Sequence, residues 1–372
     1  MHNHHRLSFV LSFLLVSTVL EVLVTACGGS GTSNGNTSTT GCKSPATVST
    51  AASNPPANQL IPLNVQNHKA GGAVKALQNV SIGLGYIPDI QFAPFYVAKS
   101  KGYYAAAGLN VTLNHGIVNN LLAELALGHN TFAFAGGDEL LVARSQHLPL
   151  IDVSTIFQKY PVSLIVPVNS PICTLADLKG HTIGEPGPFG ATYIGLLALL
   201  YHAHLTLSDV HAESIGFTQV AALVGHKVDA VMGYSNNEAL QLPERGFPVR
   251  TFNVSDYQPL VSNGIIVTES TWQTQPQLVR SFVQATIQGL QEVIANPSEA
   301  VQISKSYVPG MNATTAMSVL QATIPIWKGD GKHPLGYNNG ATWQSMQQFL
   351  VAEKIIPSAQ DLSQAFTNVS TS

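Results

Sequence analysis

Residues 79–115 read NVSIGLGYIPDIQFAPFYVAKSKGYYAAAGLNVTLNH, and the fold is decided there. NVSIGLGY, residues 79–86, is a short apolar run of the kind buried inside a sheet. FAPFYVAKSKGYYAAAG follows, with Pro94 at a helix start and Gly108 at its end. Proline is tolerated in a first helical turn because its missing N–H has no partner there, and glycine past the last turn takes a left-handed backbone at little cost. LNVTLNH, residues 109–115, is the next strand. Strand, helix and strand with short connections form one unit of an α/β layer.

The alternation continues outward. Ile117, Leu121, Leu122 and Leu125 fall on one side of a helix at a 3.6-residue period. TFAFAGG (131–137) leads into the helix DELLVARSQ (138–146), and the strands PLIDVSTIF (149–157) and PVSLIVPV (161–168) follow. After Asn169-Ser170-Pro171 a second block begins: the short helix LADLKG stopped by Gly180, the strand HTIGEP, the helix GATYIGLLALLYHA, the strand AESIG, the helix FTQVAALVGHKV, the strand DAVMGY and the helix SNNEALQL. FPVRTFNV (247–254) ends that unit, and NGIIVTES (263–270) returns as a strand to the first. The expected fold is therefore α/β, two mainly parallel sheets flanked by helices, with the chain crossing twice between them. The boundaries are 76–168 for the first part of lobe 1, 169–258 for lobe 2, and 259–372 for the return strand and C-terminal helices. In the last segment Leu278, Phe282, Thr286 and Leu290 form a core stripe that Pro297 closes, and ATWQSMQQFLVAEKII and PSAQDLSQAF read as two closing helices. No repeat of solenoid period occurs.

The 372 residues are 45% hydrophobic and only 10% charged, with net charge −3, so the surface is polar through neutral groups and no basic run exists to neutralise phosphates. Nucleic acid is excluded as a partner. Residues 1–27 carry Arg6, an apolar run from Leu7 to Val24 and the ending Val24-Thr25-Ala26-Cys27, a targeting segment rather than a permanent span. That ending resembles a bacterial lipoprotein signal, which implies cleavage before Cys27 and its lipidation. Residues 28–75 form a linker, almost uncharged as far as Asn67 and with Pro55 and Pro56 in its middle. Cys42 in the linker and Cys173 in the body are the other cysteines; an oxidising compartment would allow them to pair, but one in a tether and one next to a domain start make no case for a disulfide, and none is expected.

The run Gly83 to Ala98 (GLGYIPDIQFAPFYVA), then KGYY at 101–104 and GLNV at 108–111, resembles the solute-binding proteins of ABC importers, in the group named for sulfonate-binding and thiamine-pyrimidine precursor proteins. Ala135-Gly136-Gly137-Asp138-Glu139, LADLKG with HTIG, and the late helix of Trp343 extend the resemblance across most of the body. It implies the periplasmic-binding-protein fold, with two lobes that hold a ligand between them, and a monomer that works with permease and ATPase subunits while anchored by lipid outside the cell membrane. It includes fungal enzymes that make a thiamine pyrimidine, sulfonate binders and flavin binders; the early run and Gly137-Asp138-Glu139 look most like the pyrimidine-precursor and riboflavin branches. Such crevices at strand ends are the default ligand site of the architecture.

Candidate ligand residues follow from the strand-to-helix turns. Tyr86 and Phe92 offer flat faces after the first strand, Phe95 belongs to the helix core, and Asp89 accepts from a ligand or caps the turn. Asn114 and His115 precede Gly116 after the second strand, and Gly136, Gly137, Asp138 and Glu139 occupy the third turn. Tyr160 lies near the first crossing. In lobe 2 the residues are Glu185, Phe189, Gly190 and Thr192 at a helix entrance, Phe217, and Tyr234, Asn236 and Glu238 after another strand; Asn263 opens the return strand. The entrance GPFGAT lacks the lysine and spacing of a nucleotide-binding loop, the histidines have no matched nucleophile, and no metal or dinucleotide motif occurs, so no cofactor and no catalysis are expected. These loops hold acids and no arginine, which favours an uncharged heterocycle over a sulfonate; a thiamine-related pyrimidine is placed ahead of riboflavin. For the tether, intact-mass analysis of membrane-extracted protein is expected to find lipid on a new amino-terminal Cys27, and a soluble product beginning elsewhere would contradict it.

Overall fold

A computed structural model describes Cys42, residues 76–116 and residues 118–369. Cys27, the leader and the rest of the linker lie outside the described residues. The chain runs β1 (Gln78–Leu84), α1 (Ala93–Ser100), α2 (Tyr103–Ala106), β2 (Leu109–His115), α3 (Val118–Ala126), β3 (Phe132–Gly136), α4 (Gly137–Ser145), β4 (Leu150–Thr155) and β5 (Val162–Pro167). It continues through β6 (Thr182–Glu185), α5 (Gly190–His202), β7 (His211–Ser214), α6 (Gln219–Val224), β8 (Ala230–Tyr234), α7 (Glu238–Glu244), β9 (Val249–Asn253) and β10 (Asn263–Thr268). The helices α8 (Glu269–Thr274), α9 (Pro276–Ala295), α10 (Pro297–Ser304), α11 (Ala313–Lys328) and α12 (Gly340–Ala352) complete it. Among the described residues no helix is long and apolar enough to cross a membrane.

Two five-stranded sheets result, ordered β2-β1-β3-β10-β4 and β7-β6-β8-β5-β9. They are mixed rather than wholly parallel. β1 pairs in parallel with β2 and β3, but β10 is antiparallel to both β3 and β4. In the second sheet β6 is parallel to β7 and β8, and β5 is antiparallel to β8 and β9. In each lobe the reversed strand is the one the chain lays down immediately after crossing: β10 enters between strands already in lobe 1, whereas β5 is the first strand of lobe 2 and later strands pair on both its sides. This moves the expected boundary: PVSLIVPV is β5 of lobe 2, so the first crossing is 156–161 and not after Val168. Its run of buried residues could not disclose which sheet it joins, because an inner strand is apolar on both faces in either one.

The first unit forms as its sequence requires. Gly108 takes φ 80°, ending the segment before β2, and Gly102, at φ 76°, separates α1 from α2, so the expected single helix is broken in two. The core stripe of α9 packs on the sheet: Phe282 stacks at 3.9 Å on Phe132 and at 5.2 Å on Tyr104. Gly289 lets α9 lie against α1, since a Cβ there would stand 2.8 Å from that of Ala98. Pro297 does not close this region but opens α10 at its first turn, after Asn296 has ended α9. PSAQDLSQAF is no full helix; only Leu362–Gln364 makes a 3-10 turn, and the following residues run beside β4, where Asp152 N donates to Ala365 O and Thr367 N to Asp152 O. LADLKG shrinks likewise to a 3-10 turn at Leu175–Leu178.

Against expectation, Cys42 is bonded to Cys173, with Cα atoms 5.5 Å apart across 131 residues of sequence. Position 42 is thus fastened to the segment after β5, in lobe 2. Phe282→Ala is expected to cost about 3–5 kcal/mol, because it removes two ring stacks from a fully buried site and leaves a cavity. Urea unfolding of the variant measures this, and a loss below about 1 kcal/mol would mean the site collapses without harm.

Candidate functional site

The lobes face each other with the carboxyl ends of their strands, and the turns leaving those strands line one cleft. Its empty space, counted out through the open mouth into solvent, is about 850 Å³. Lobe 1 contributes Gly85 and Tyr86 after β1, Gln91 and Phe92 from the 3-10 turn before α1, Phe134 of β3, Glu139 of α4, Phe157 of the crossing, and Asn263. Lobe 2 contributes Pro186, Phe189, Gly190, Ala191 and Thr192 at the start of α5, Phe217 and Gln219 at α6, and Tyr234, Asn237 and Glu238 around the β8–α7 turn. Seven of these side chains are aromatic, and no Lys or Arg is among them.

Ten expected residues come together here: Tyr86, Phe92, Glu139, Phe189, Gly190, Thr192, Phe217, Tyr234, Glu238 and Asn263. The other expected residues lie outside the lining. Asp89 caps the 3-10 turn, accepting from Gln91 N at 3.1 Å. Asn114 donates to Asn130 Oδ1 at 2.9 Å. His115 Nδ1 donates to the Tyr86 carbonyl at 2.9 Å, so its Nε2 accepts from the Tyr96 hydroxyl at 3.2 Å. Burial holds this imidazole below its usual range, and the neutral ring fixes the loop that presents Tyr86. Gly137 packs under Trp343, where a Cβ would come within 2.9 Å of the indole. Asn236 Nδ2 donates across the lobes to Thr323 Oγ1 at 2.7 Å, leaving Asn237 to face the cleft.

Acids shape the polarity of the cleft. Glu238 accepts from Tyr234 N at 2.7 Å, and burial pushes its carboxyl up to about 7. Glu139 Oε2 accepts from Gly136 N at 2.9 Å, while its other oxygen points toward the start of α5, 3.3 Å from where a Cβ on Gly190 would be. Asp138 and Glu139 are both raised, first by burial, and the charge of Asp138 raises Glu139 further. Glu185 sits beneath Pro186, raised to about 7 by burial, with Oε2 unpartnered among the described residues. The Tyr160 hydroxyl is 2.5 Å from Asp138 Oδ2 and 2.8 Å from Ala191 O, joining the lobes at the crossing. Desolvation and these acids raise the phenols of Tyr86 and Tyr234 well above their usual range, so both are neutral.

The sequence reading missed Gln91, Phe134, Phe157, Gln219 and Asn237. Phe134 and Phe157 lie in stretches read as strands, where an inward aromatic looks like core; only the position of each at a strand's carboxyl end separates the two.

A two-lobed fold with this cleft at its strand ends defines a periplasmic-type binding protein. The alkanesulfonate-binding protein SsuA from Xanthomonas axonopodis pv. citri, solved with MOPS, superposes with TM-score 0.63 at 17% identity, covering 80% of this chain and 100% of that one. The family model described as NMT1/THI5 like matches residues 89–300. The riboflavin-binding protein RibY of Chloroflexus aurantiacus is 38% identical over 307 residues, 80% of this chain and 88% of its own. The formylaminopyrimidine-binding protein of Halalkalibacterium halodurans is 25% identical over 308 residues, 79% and 91% of the two chains. The chain belongs to the NMT1/THI5-like family of ABC-transporter solute-binding proteins. The chain is a small-molecule-binding component of an ABC import system, at an extracytoplasmic, membrane-associated location.

Tyr86 of lobe 1 and Phe217 of lobe 2 meet edge to face across the cleft, with centroids 5.1 Å apart. A double-mutant cycle of Tyr86→Ala and Phe217→Ala, read by urea unfolding, is expected to give a coupling of about 0.5–1.5 kcal/mol. Strict additivity would mean the rings do not interact in solution.

Proposed function

We propose that this chain captures riboflavin, or a flavin with the same ring system, between its lobes and hands it unchanged to a membrane permease, tethered by lipid at Cys27. The observation that carries the reading is the 38% identity with RibY across 80% of the chain, against 25% with the formylaminopyrimidine-binding protein. It reverses the order of ligands expected from sequence.

The cleft supports the same choice. Seven aromatic side chains from both lobes suit a broad planar ring system better than a single ring. Gln91, Gln219, Asn237 and Thr192 can each donate and accept, as imide and polyol edges require. A sulfonate is an obligate anion and would enter a cleft lined by Glu139 and Glu238 without a cation. The ligand favours closure only through contacts made better when the lobes meet, and sandwiching between Tyr86 or Phe92 on one side and Phe189 or Tyr234 on the other supplies them.

The test is quenching of riboflavin fluorescence by the purified protein, with native mass spectrometry against thiamine pyrimidine precursors and alkyl sulfonates. Riboflavin is expected to bind tightest and to be recovered unaltered, and Tyr234→Ala is expected to weaken it about tenfold through a lost ring contact. Tighter binding of a sulfonate or a pyrimidine, or chemical conversion of the flavin, would overturn the proposal.

A further inference from the structure

Tyr160 stands in the first crossing between Asp138 of lobe 1 and the first turn of α5 in lobe 2. Its hydroxyl oxygen is 2.5 Å from Asp138 Oδ2 and 2.8 Å from Ala191 O. A phenol has one hydrogen to give and a carbonyl oxygen has none. If the Tyr160 hydrogen satisfies Ala191, the hydrogen in the contact with Asp138 comes from the carboxyl. Asp138 Oδ1 is already an acceptor, taking Glu139 N at 2.9 Å, which leaves Oδ2 as the oxygen able to carry the proton.

We propose that Asp138 is a positioning residue that holds a proton while the lobes meet, donating to Tyr160, which donates to Ala191, so that one proton links lobe 1, the crossing and lobe 2 around the ligand. The inference rests on reading the cleft as a capture site that closes.

Burial favours the neutral acid, and it outweighs the hydrogen bonds at Tyr160 and Glu139 N, which pull toward the carboxylate. Asp138 is fully buried. Facing it are Glu139 from its own helix, Tyr160 from the crossing and Tyr234 from β8, with Glu238 and Tyr86 acting on Tyr234 from behind. From α12 the neighbour is the uncharged Trp343. Arg144 is at the far end of α4, paired with Glu269 at 2.6 Å, and Lys159 points to solvent. No cation therefore holds Asp138 ionised, and burial raises its carboxyl above the usual aspartate range.

Ionisation would make Oδ2 the stronger acceptor, draw the Tyr160 hydrogen to itself and release Ala191. The sign follows from linkage. A carboxyl raised in the closed state binds its proton more tightly there than in the open state. Closure is thus favoured at lower pH and lost as pH climbs from the usual aspartate range through the raised value.

Two arms test this. Without ligand, infrared difference spectra of wild type against Asp138→Asn should show a protonated carboxyl band that disappears as pH rises, and Tyr160→Phe should shift its frequency. With riboflavin as probe, wild-type affinity should fall by up to about tenfold per pH unit through the same window. Asp138→Asn should lose that step, because its amide Nδ2 donates to Tyr160 at every pH, and Tyr160→Phe should bind more weakly and also lack the step. Identical infrared spectra for wild type and Asp138→Asn, or an unchanged pH step in Asp138→Asn, would overturn the inference. If riboflavin binds at no pH, the flavin reading fails and the infrared arm alone decides the proton.

Discussion

Each sheet holds as an inner strand the first one laid down after a crossing, and the remaining geometry depends on that arrangement. β10 lies between β3 and β4, and β5 lies between β8 and β9, each hydrogen-bonded on both sides. Neither lobe can therefore assemble before the chain has crossed. The two crossings, at 156–161 and 254–262, fix the lobes so that the carboxyl ends of β1, β3, β6 and β8 look at one another. The aromatic walls and the acids then converge without long loops, because most come from the first residues after a strand and Phe134 from within β3. One buried cluster also runs through the crossings, joining Leu140 and Ala133 of lobe 1 to Tyr160, Val254 and Leu199 on the other side. That cluster packs the lobes against each other at the back of the cleft.

That constraint explains which features were legible in the sequence. β1, α1 and β2 were readable because period, proline and glycine all agreed locally. Tyr86, Phe189 and Tyr234 were readable as wall residues because they follow strands. β5 was misassigned because its partner strands, β8 and β9, are contributed later in the chain, and no local pattern encodes a non-local pairing. PSAQDLSQAF looked helical but runs on into residues held by backbone bonds to β4, so tertiary pairing overrode propensity. Cys42 and Cys173 carried no geometric information until lobe 2 was folded, since only the fold brings their Cα atoms within bonding range. Asp138 and Glu139 stand in one loop in the sequence, yet the step of about 100° between successive residues of a helix sends Glu139 into the cleft and Asp138 behind it.

The cleft is acidic by count and close to neutral in effect. Glu139, Glu185 and Glu238 are raised by burial with no cation beside them, so each tends to keep its proton and presents a donor as well as an acceptor. A ligand with mixed donors and acceptors can match such groups, whereas an ionised one meets a site that resists charge of either origin. His115 fits the same pattern. It was a plausible ligand donor from sequence, but both ring nitrogens are engaged by Tyr86 and Tyr96, and its contribution is the rigidity of the Tyr86 loop.

Beside the Asp138–Tyr160–Ala191 link at the crossing, a few modest contacts also join the lobes. Asn236 with Thr323 at 2.7 Å, Thr315 with Glu244 at 2.9 Å and the Tyr86–Phe217 edge contact are of kinds worth about 0.5–1.5 kcal/mol each. Thr315 and Glu244 are exposed, and Phe217 is 43% exposed, so solvent competes for these partners and the upper end of that range does not apply to them. Their sum is small beside the burial of a planar ligand against aromatic walls from both sides, where each fully buried side chain's worth of apolar surface brings about 1.5–3 kcal/mol. Ligand burial therefore outweighs these contacts once both walls touch the ligand. A binding protein that must also release its cargo needs this ordering, with the ligand and not the lobe-to-lobe contacts supplying most of the closing free energy.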